Sequence, residues 1–259
     1  MKKIFQILVM VAVFCTVTFA FAAEISNGGY VEGEAVLYPN GQDLNARNRL
    51  IELMAYRNLA EQVGELYISS SSTVKDAMLL DDTIKAKVET SIQGAKIVSK
   101  IKHEDGTFEA KVRLSIYGGR NSLANAVLPE QTQVEDLPKP KFTNLASGMT
   151  GENYTGLIID CRGKNLSTAI IPSIKSADGT EIYAYKNVTR QLATERGMVS
   201  YVDTIEEANE RVGSKPLTIK AVYVSGDCDA VVNDEDASRI LIANQSSKFL
   251  NNCNVVFVR

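Results

Sequence analysis

From Phe108 to Ile116 the chain alternates without a break: Phe108, Ala110, Val112, Leu114 and Ile116 are apolar or small, and Glu109, Lys111, Arg113 and Ser115 lie between them. A period of two is the mark of a strand with one face buried and one face in water. Asp105-Gly106 stands just before this run, and Ile97 to Glu104 before that, so the sequence predicts a hairpin closed by a two-residue type I′ turn. That turn sets Glu104 opposite Thr107, Lys102 opposite Glu109, Ile101 opposite Ala110 and Ile97 opposite Leu114. Apolar residues then share one face and opposite charges the other. A sheet with one apolar face needs a layer to cover it.

Two helices are expected to supply that layer. Tyr30 to Tyr38 reads as a strand ended by Pro39-Asn40-Gly41. Asp43 caps a helix to about Gly64, whose apolar face is Leu50, Ile51, Met54, Ala55, Leu59 and Val63. Tyr67 to Val74 reads as a serine-rich strand. A second helix is expected from about Asp76 to Gln93, with Leu80, Ile84, Val88 and Ile92 in an i, i+4 ladder and Gly94 as its stop.

Three of the six prolines, Pro129, Pro138 and Pro140, fall in a stretch of low periodicity. The expected division is therefore a unit over 25–120, a Pro-containing linker over 121–152 and a second unit over 153–259. The second unit opens on Leu157-Ile158-Ile159, a run suited to a strand covered on both faces. An Asp178-Gly179 hairpin joins Ile174-Lys175 to Glu181–Tyr185. Thr204 with Glu207 reads as a capping box for a helix through Val212, and Asn233 with Asp236 opens a helix to about Leu250. Strands at Leu217–Val224 and Asn254–Val258 bracket that last helix. The expected class is α+β: a small antiparallel sheet packed by two helices, then a second α/β unit with a mixed sheet.

The first residues set the compartment. Lys2 and Lys3 precede an apolar run from Ile4 to about Phe19 and a small-x-small site at Ala20-Phe21-Ala22, the pattern of a secretory signal peptide over residues 1–22. The run is short for a membrane span, and no other stretch is long enough for one, so no transmembrane segment is expected after cleavage. Phe14 precedes Cys15, where bacterial lipidation requires a small residue, and this argues against a lipid anchor. Cleavage removes two lysines and leaves 26 Lys and Arg against 31 Asp and Glu. Without clustered cations, nucleic acid is not an expected partner.

The residue sets that catalysis needs are sparse. His103 is the single histidine, and its register puts it near a hairpin tip. No nucleophile elbow, phosphate-binding glycine loop or zinc-helix motif occurs. The pattern calls for no catalytic residue, no cofactor and no metal. Asp160, Arg162 and Gly163, at the end of a buried strand, are candidates for ligand binding because ligands of α/β sheets sit beyond the carboxyl ends of strands; a turn or ion pair is the competing account. Asp227, Asp229, Asp234 and Asp236 could hold a hard cation, but their spacing fails the calcium-loop pattern and two of them suit a first helical turn. Of the mature cysteines Cys161, Cys228 and Cys253, the pair Cys228 and Cys253 flanks one predicted helix and could form a disulfide.

Ala46-Arg47, Ala55-Tyr56-Arg57-Asn58-Leu59-Ala60, Ser69 to Val74 and Gly94-Ala95-Lys96-Ile97-Val98, in this order of elements, resemble the Lpp-twenty family of small outer-membrane lipoproteins. They also resemble the N-terminal part of flagellar assembly protein T. The likeness covers about Gly33 to Tyr117 and implies an α+β fold, an envelope location and a structural or assembly role, with no catalytic residues to carry over. Tyr154 to Asp160, Arg162-Gly163, Pro172, Asp178-Gly179 and Tyr183 are similar to a region that follows such a domain in other bacterial envelope proteins. The expected function is a non-enzymatic, exported protein of the periplasm or the outer-membrane surface that binds other envelope proteins. The alternative is a periplasmic small-ligand-binding protein or hydrolase with its site near Asp160 and Arg162.

Overall fold

The computed structural model describes residues 24–39, 41, 43–145 and 152–259. The expected leader over 1–22, with Cys15, lies outside the described residues. Among the described residues no helix is long and apolar enough to cross a membrane.

The first unit is a three-stranded antiparallel sheet in the order β1 (Tyr30–Leu37), β5 (Phe108–Ser115), β4 (Lys96–Lys102). Its apolar face carries α1 (Leu44–Glu65), which buries Ile51, Ala55, Leu59 and Val63, one residue per turn. Leu50 and Met54 pack at the margin of that stripe. Asp43 caps the helix, accepting the N–H groups of Asn45 and Ala46 at 2.8 and 3.3 Å. Where α1 crosses β1, the residue beneath is Gly33, because a Cβ there would overlap the backbone of Ala55 and Leu59.

Three expectations for this unit fail for local reasons. The serine-rich strand is two short strands, β2 (Tyr67–Ser69) and β3 (Ser72–Thr73), folded on each other, and Val74 already begins α2 (Val74–Leu80). The single helix to Gln93 is broken at Asp81, whose extended backbone ends α2 while its carboxylate accepts the N–H groups of Thr83 and Ile84 and starts α3 (Asp82–Gln93). Leu80 is thereby turned out to 88% exposure, and only Val88 of the expected ladder is fully buried. The hairpin register is shifted by one residue beside the turn and, past an irregularity between Ile97 and Ser99, by two, so that Ile97 lies opposite Val112 rather than Leu114. His103 donates to the Thr107 carbonyl and Gly106, at φ +84°, donates back to His103, so the loop has three residues rather than two. Asp105 selects that loop by accepting the Thr107 N–H at 2.8 Å. Lys100, not Ile101, then lies opposite Ala110, and Ile101 falls on the solvent face opposite Glu109.

The segment expected as a linker is tied down. Ser122 caps a short helix, α4 (Leu123–Val127), with Leu123, Ala124, Ala126 and Val127 buried. The chain then runs over the second unit: Glu135 donates to the Lys186 carbonyl, Asn187 donates to the carbonyls of Glu135 and Asp136, and the N–H groups of Lys141 and Phe142 reach Ser238 Oγ.

The second unit holds two four-stranded sheets. One is fully parallel, in the order β10 (Pro216–Lys220), β6 (Gly156–Asp160), β13 (Val255–Val258), β9 (Ser200–Val202). The other is mixed, in the order β11 (Tyr223–Ser225), β12 (Asp229–Val232), β7 (Ile174–Ser176), β8 (Glu181–Tyr183). The expected strand Leu217–Val224 is therefore two, because the chain leaves the parallel sheet at Lys220 and enters the mixed one at Tyr223. The Asp178-Gly179 hairpin forms, with the same three-residue loop as Asp105-Gly106: Ser176 donates to Thr180, Gly179 sits at φ +88°, and Asp178 accepts the Thr180 N–H. Helix α5 (Arg190–Glu195) precedes β9. The Thr204 capping box is absent, since the chain enters a 3-10 turn at Glu206–Ala208 before α6 (Asn209–Val212), and Glu207 instead accepts the Asp203 N–H at 3.4 Å. Asn233 caps α7 (Asp234–Ser247) as expected, through the Asp236 N–H at 2.7 Å, and Lys248 ends it in a left-handed conformation. The whole is mixed α and β, with the small antiparallel sheet and the mixed sheet that the sequence predicts.

Candidate functional site

The parallel sheet brings the candidate residues to one end. Asp160 is the last residue of β6, beside the carboxyl ends of β10 and β13, where Ala221 donates to its carbonyl and Cys161 donates to Val258. A tight turn follows at once: Lys164 donates back to the Cys161 carbonyl and Gly163 takes φ +74°. Gly163 therefore has a conformational task, the positive φ at the third position of the turn.

The turn folds Arg162 back on Asp160. Its Nε and Nη2 donate to the two carboxylate oxygens at 2.9 and 2.8 Å, and its backbone N–H donates to Oδ1 at 3.1 Å. This two-pronged pair, with Arg162 half-exposed, lowers the Asp160 carboxyl below its ordinary value. The pair satisfies its own charges at the surface. The depression at the same end of the sheet, about 530 Å³ and wide open, is lined by Lys164 to Ser167, Glu24, Asp203 and Arg259. There Arg259 pairs with Glu24 at 2.8 Å and approaches Asp203 at 3.8 Å.

The four aspartates do not converge. Asp227 accepts the Tyr67 hydroxyl at 3.0 Å, Asp229 pairs with Lys175 at 2.7 Å and accepts the Ser173 N–H, Asp234 receives the Asp178 N–H, and Asp236 pairs with Arg239 at 2.8 Å. Among the described residues no group of three or more His, Cys, Asp or Glu is placed to hold a metal ion. The disulfide is corrected: Cys161, Cys228 and Cys253 are free, buried thiols. Cys228 precedes β12 beside Asp229 and Lys175, whereas Cys253 precedes β13 among Tyr183, Arg196 and Arg211, so flanking one helix does not bring them together. Burial pushes the thiols of Cys161 and Cys228 up to about 12 and raises that of Cys253 as well. His103 stays at the surface, its Nε2 3.2 Å from Glu109.

One arginine that the sequence does not single out organises the opposite, amino end of the parallel sheet. Arg211 of α6 is partly buried and donates to the carbonyls of Cys253, Arg196 and Gly197 and to Ser200 Oγ at 2.6 to 3.0 Å. Desolvation lowers its pKa. It ties the starts of β9 and β13 together through neutral acceptors, and a lone Arg in a four-residue helix gives no sequence signal for that role.

The comparisons with known proteins fall on the second unit. No curated protein matches the chain. Residues 156–259 match a family model described as the second domain of Treponema pallidum Tp0624. The likeness begins with β6 and runs through β13, so it takes in both sheets of the second unit and leaves the first unit and α4 outside it.

Proposed function

We propose that this chain is a non-enzymatic, exported envelope protein with a structural, assembly or interaction role, linked to outer-membrane or flagellar machinery and bound to other envelope proteins. The observation that carries the reading is that Arg162 folds back on Asp160, so the two charged residues that the ligand-binding alternative relies on pair with each other. The leader-like start of the chain supports export, and the resemblance of residues 33–117 to the Lpp-twenty family and flagellar assembly protein T supports the envelope role. Most of the large apolar side chains left exposed, among them Leu53, Leu79, Leu80 and Ile101, belong to the first unit, which favours that unit as the one that meets partners.

Crosslinking in intact cells followed by fractionation tests this. The expected result is a processed chain recovered in the envelope fraction with at least one envelope protein attached. Recovery as a free monomer, or as a cytosolic polypeptide with its leader intact, would overturn it.

A further inference from the structure

β4 forms one edge of the first unit's sheet, and six of its seven residues are exposed, Ser99 alone being half-buried. A strand edge presents N–H and C=O groups ready to pair with another chain. Because His103 donates to Thr107, the antiparallel alternation makes Ile101 and Glu109 a hydrogen-bonded pair and makes Lys100–Ala110 and Lys102–Phe108 non-hydrogen-bonded pairs. The main-chain groups of Lys100 and Lys102 therefore point away from β5. Side chains sort by the same period: Lys100 and Lys102 share the helix-covered face with Ala110 and Phe108, while Ile101, 45% exposed, lies on the opposite face with Glu109.

We propose that β4 accepts an extended strand of an envelope partner in which acidic residues alternate with aliphatic ones, adding a fourth strand to the sheet. The acidic face of that strand meets Lys100 and Lys102, and its aliphatic face continues the surface begun by Ile101. Lys100 is held by Glu52 at 2.6 Å, a partly exposed pair that an incoming carboxylate can replace at small cost. A second copy of this chain is the wrong occupant, since β4 laid against β4 opposes lysine to lysine. The inference rests on the interaction role proposed above and deepens it.

The test titrates the folded mature chain at low salt with an end-blocked synthetic peptide of alternating Glu and Val. An alternating Lys–Val peptide controls for charge, and the Glu–Val peptide N-methylated at every second residue controls for main-chain pairing. The Glu–Val peptide is expected to bind with an affinity that falls as salt rises, and both controls to bind about tenfold more weakly, the effect of about one or two net hydrogen bonds. Lys102→Pro removes an outward N–H without touching the β5 ladder and should weaken binding by a similar factor. Absence of Glu–Val binding, or equal binding of all three peptides, overturns the inference, as does undiminished binding to a folded Lys102→Pro variant. Should that variant not fold, the N-methylated peptide decides the matter on the native protein. An envelope partner crosslinked in cells at a surface other than β4 would overturn this inference and leave the interaction role standing.

Discussion

At Asp160 three donors from one residue, the Nε, Nη2 and N–H of Arg162, favour the charged carboxylate. Its pKa in the folded chain lies below the ordinary 3.8, so the stabilisation is complete above that value and disappears as pH falls through the folded pKa. Asp160→Asn is therefore expected to lower stability at neutral pH and to converge with the native protein in acid, as read from urea midpoints between pH 6 and pH 2; a constant difference across that range would refute the pairing. The buried thiols give a second expectation. With Cys161 and Cys228 raised to about 12 and Cys253 enclosed, a thiol reagent at pH 8 should find no reactive group in the native chain prepared without residues 1–22 and three in denaturant without reductant. Finding a single thiol in denaturant would restore the Cys228–Cys253 disulfide.

Among the elements, α1 was readable because cap and stripe agree: Asp43 opens it, and Ile51, Ala55, Leu59 and Val63 recur every four residues. β5 was readable for the same reason, at period two. The hairpin between β4 and β5 was readable as a hairpin but not in register, since Asp-Gly suits both a two-residue and a three-residue loop, and the choice lies in the bond from Thr107 N–H to Asp105. That one-residue difference moved Ile101 to the solvent face, so its exposure could not be foreseen. Asp81 was hidden because an aspartate inside an apparent helix looks like an exposed helical residue until its backbone is known to be extended. β9 and β12 are three and four residues long, too short for a period to register, and are fixed by neighbours far along the chain. In the candidate site, the position of Asp160 at a strand end was legible, whereas its closure by Arg162 depends on a turn and a rotamer. The seat of α1 on β1 yields a prediction: Gly33→Ala would push a methyl group into the backbone of Ala55 and Leu59, destabilising the protein by about 1–3 kcal/mol in urea titration. An unchanged midpoint would mean that α1 does not sit so close.

Across the whole molecule the two units share one apolar cluster, which runs from Ile25 and Val31 through Leu123 to Phe257. Polar contacts cross the same seam. Ile25 N–H donates to Thr168 Oγ1, Ile170 and Ile171 donate to the carbonyls of Tyr67 and Ile68, Gly118 donates to Thr194, and Arg190 reaches the carbonyls of Asn125 and Leu128. Gly197 leaves room for the Tyr117 ring, which a Cβ would strike. Separating the units would expose these apolar side chains and strip partners from main-chain groups now buried, a double penalty that neither half recovers alone. The units are therefore expected to unfold together. Their composition supplies independent reporters: the three thiols among the described residues lie in the second unit, while the 22-residue α1, the longest helix among those residues, lies in the first. Thiol exposure and the loss of helical circular dichroism should follow one urea curve with one midpoint. Thiols that become reactive at a lower urea concentration than α1 melts would show the second unit opening alone, and the seam would then be a contact between independent domains.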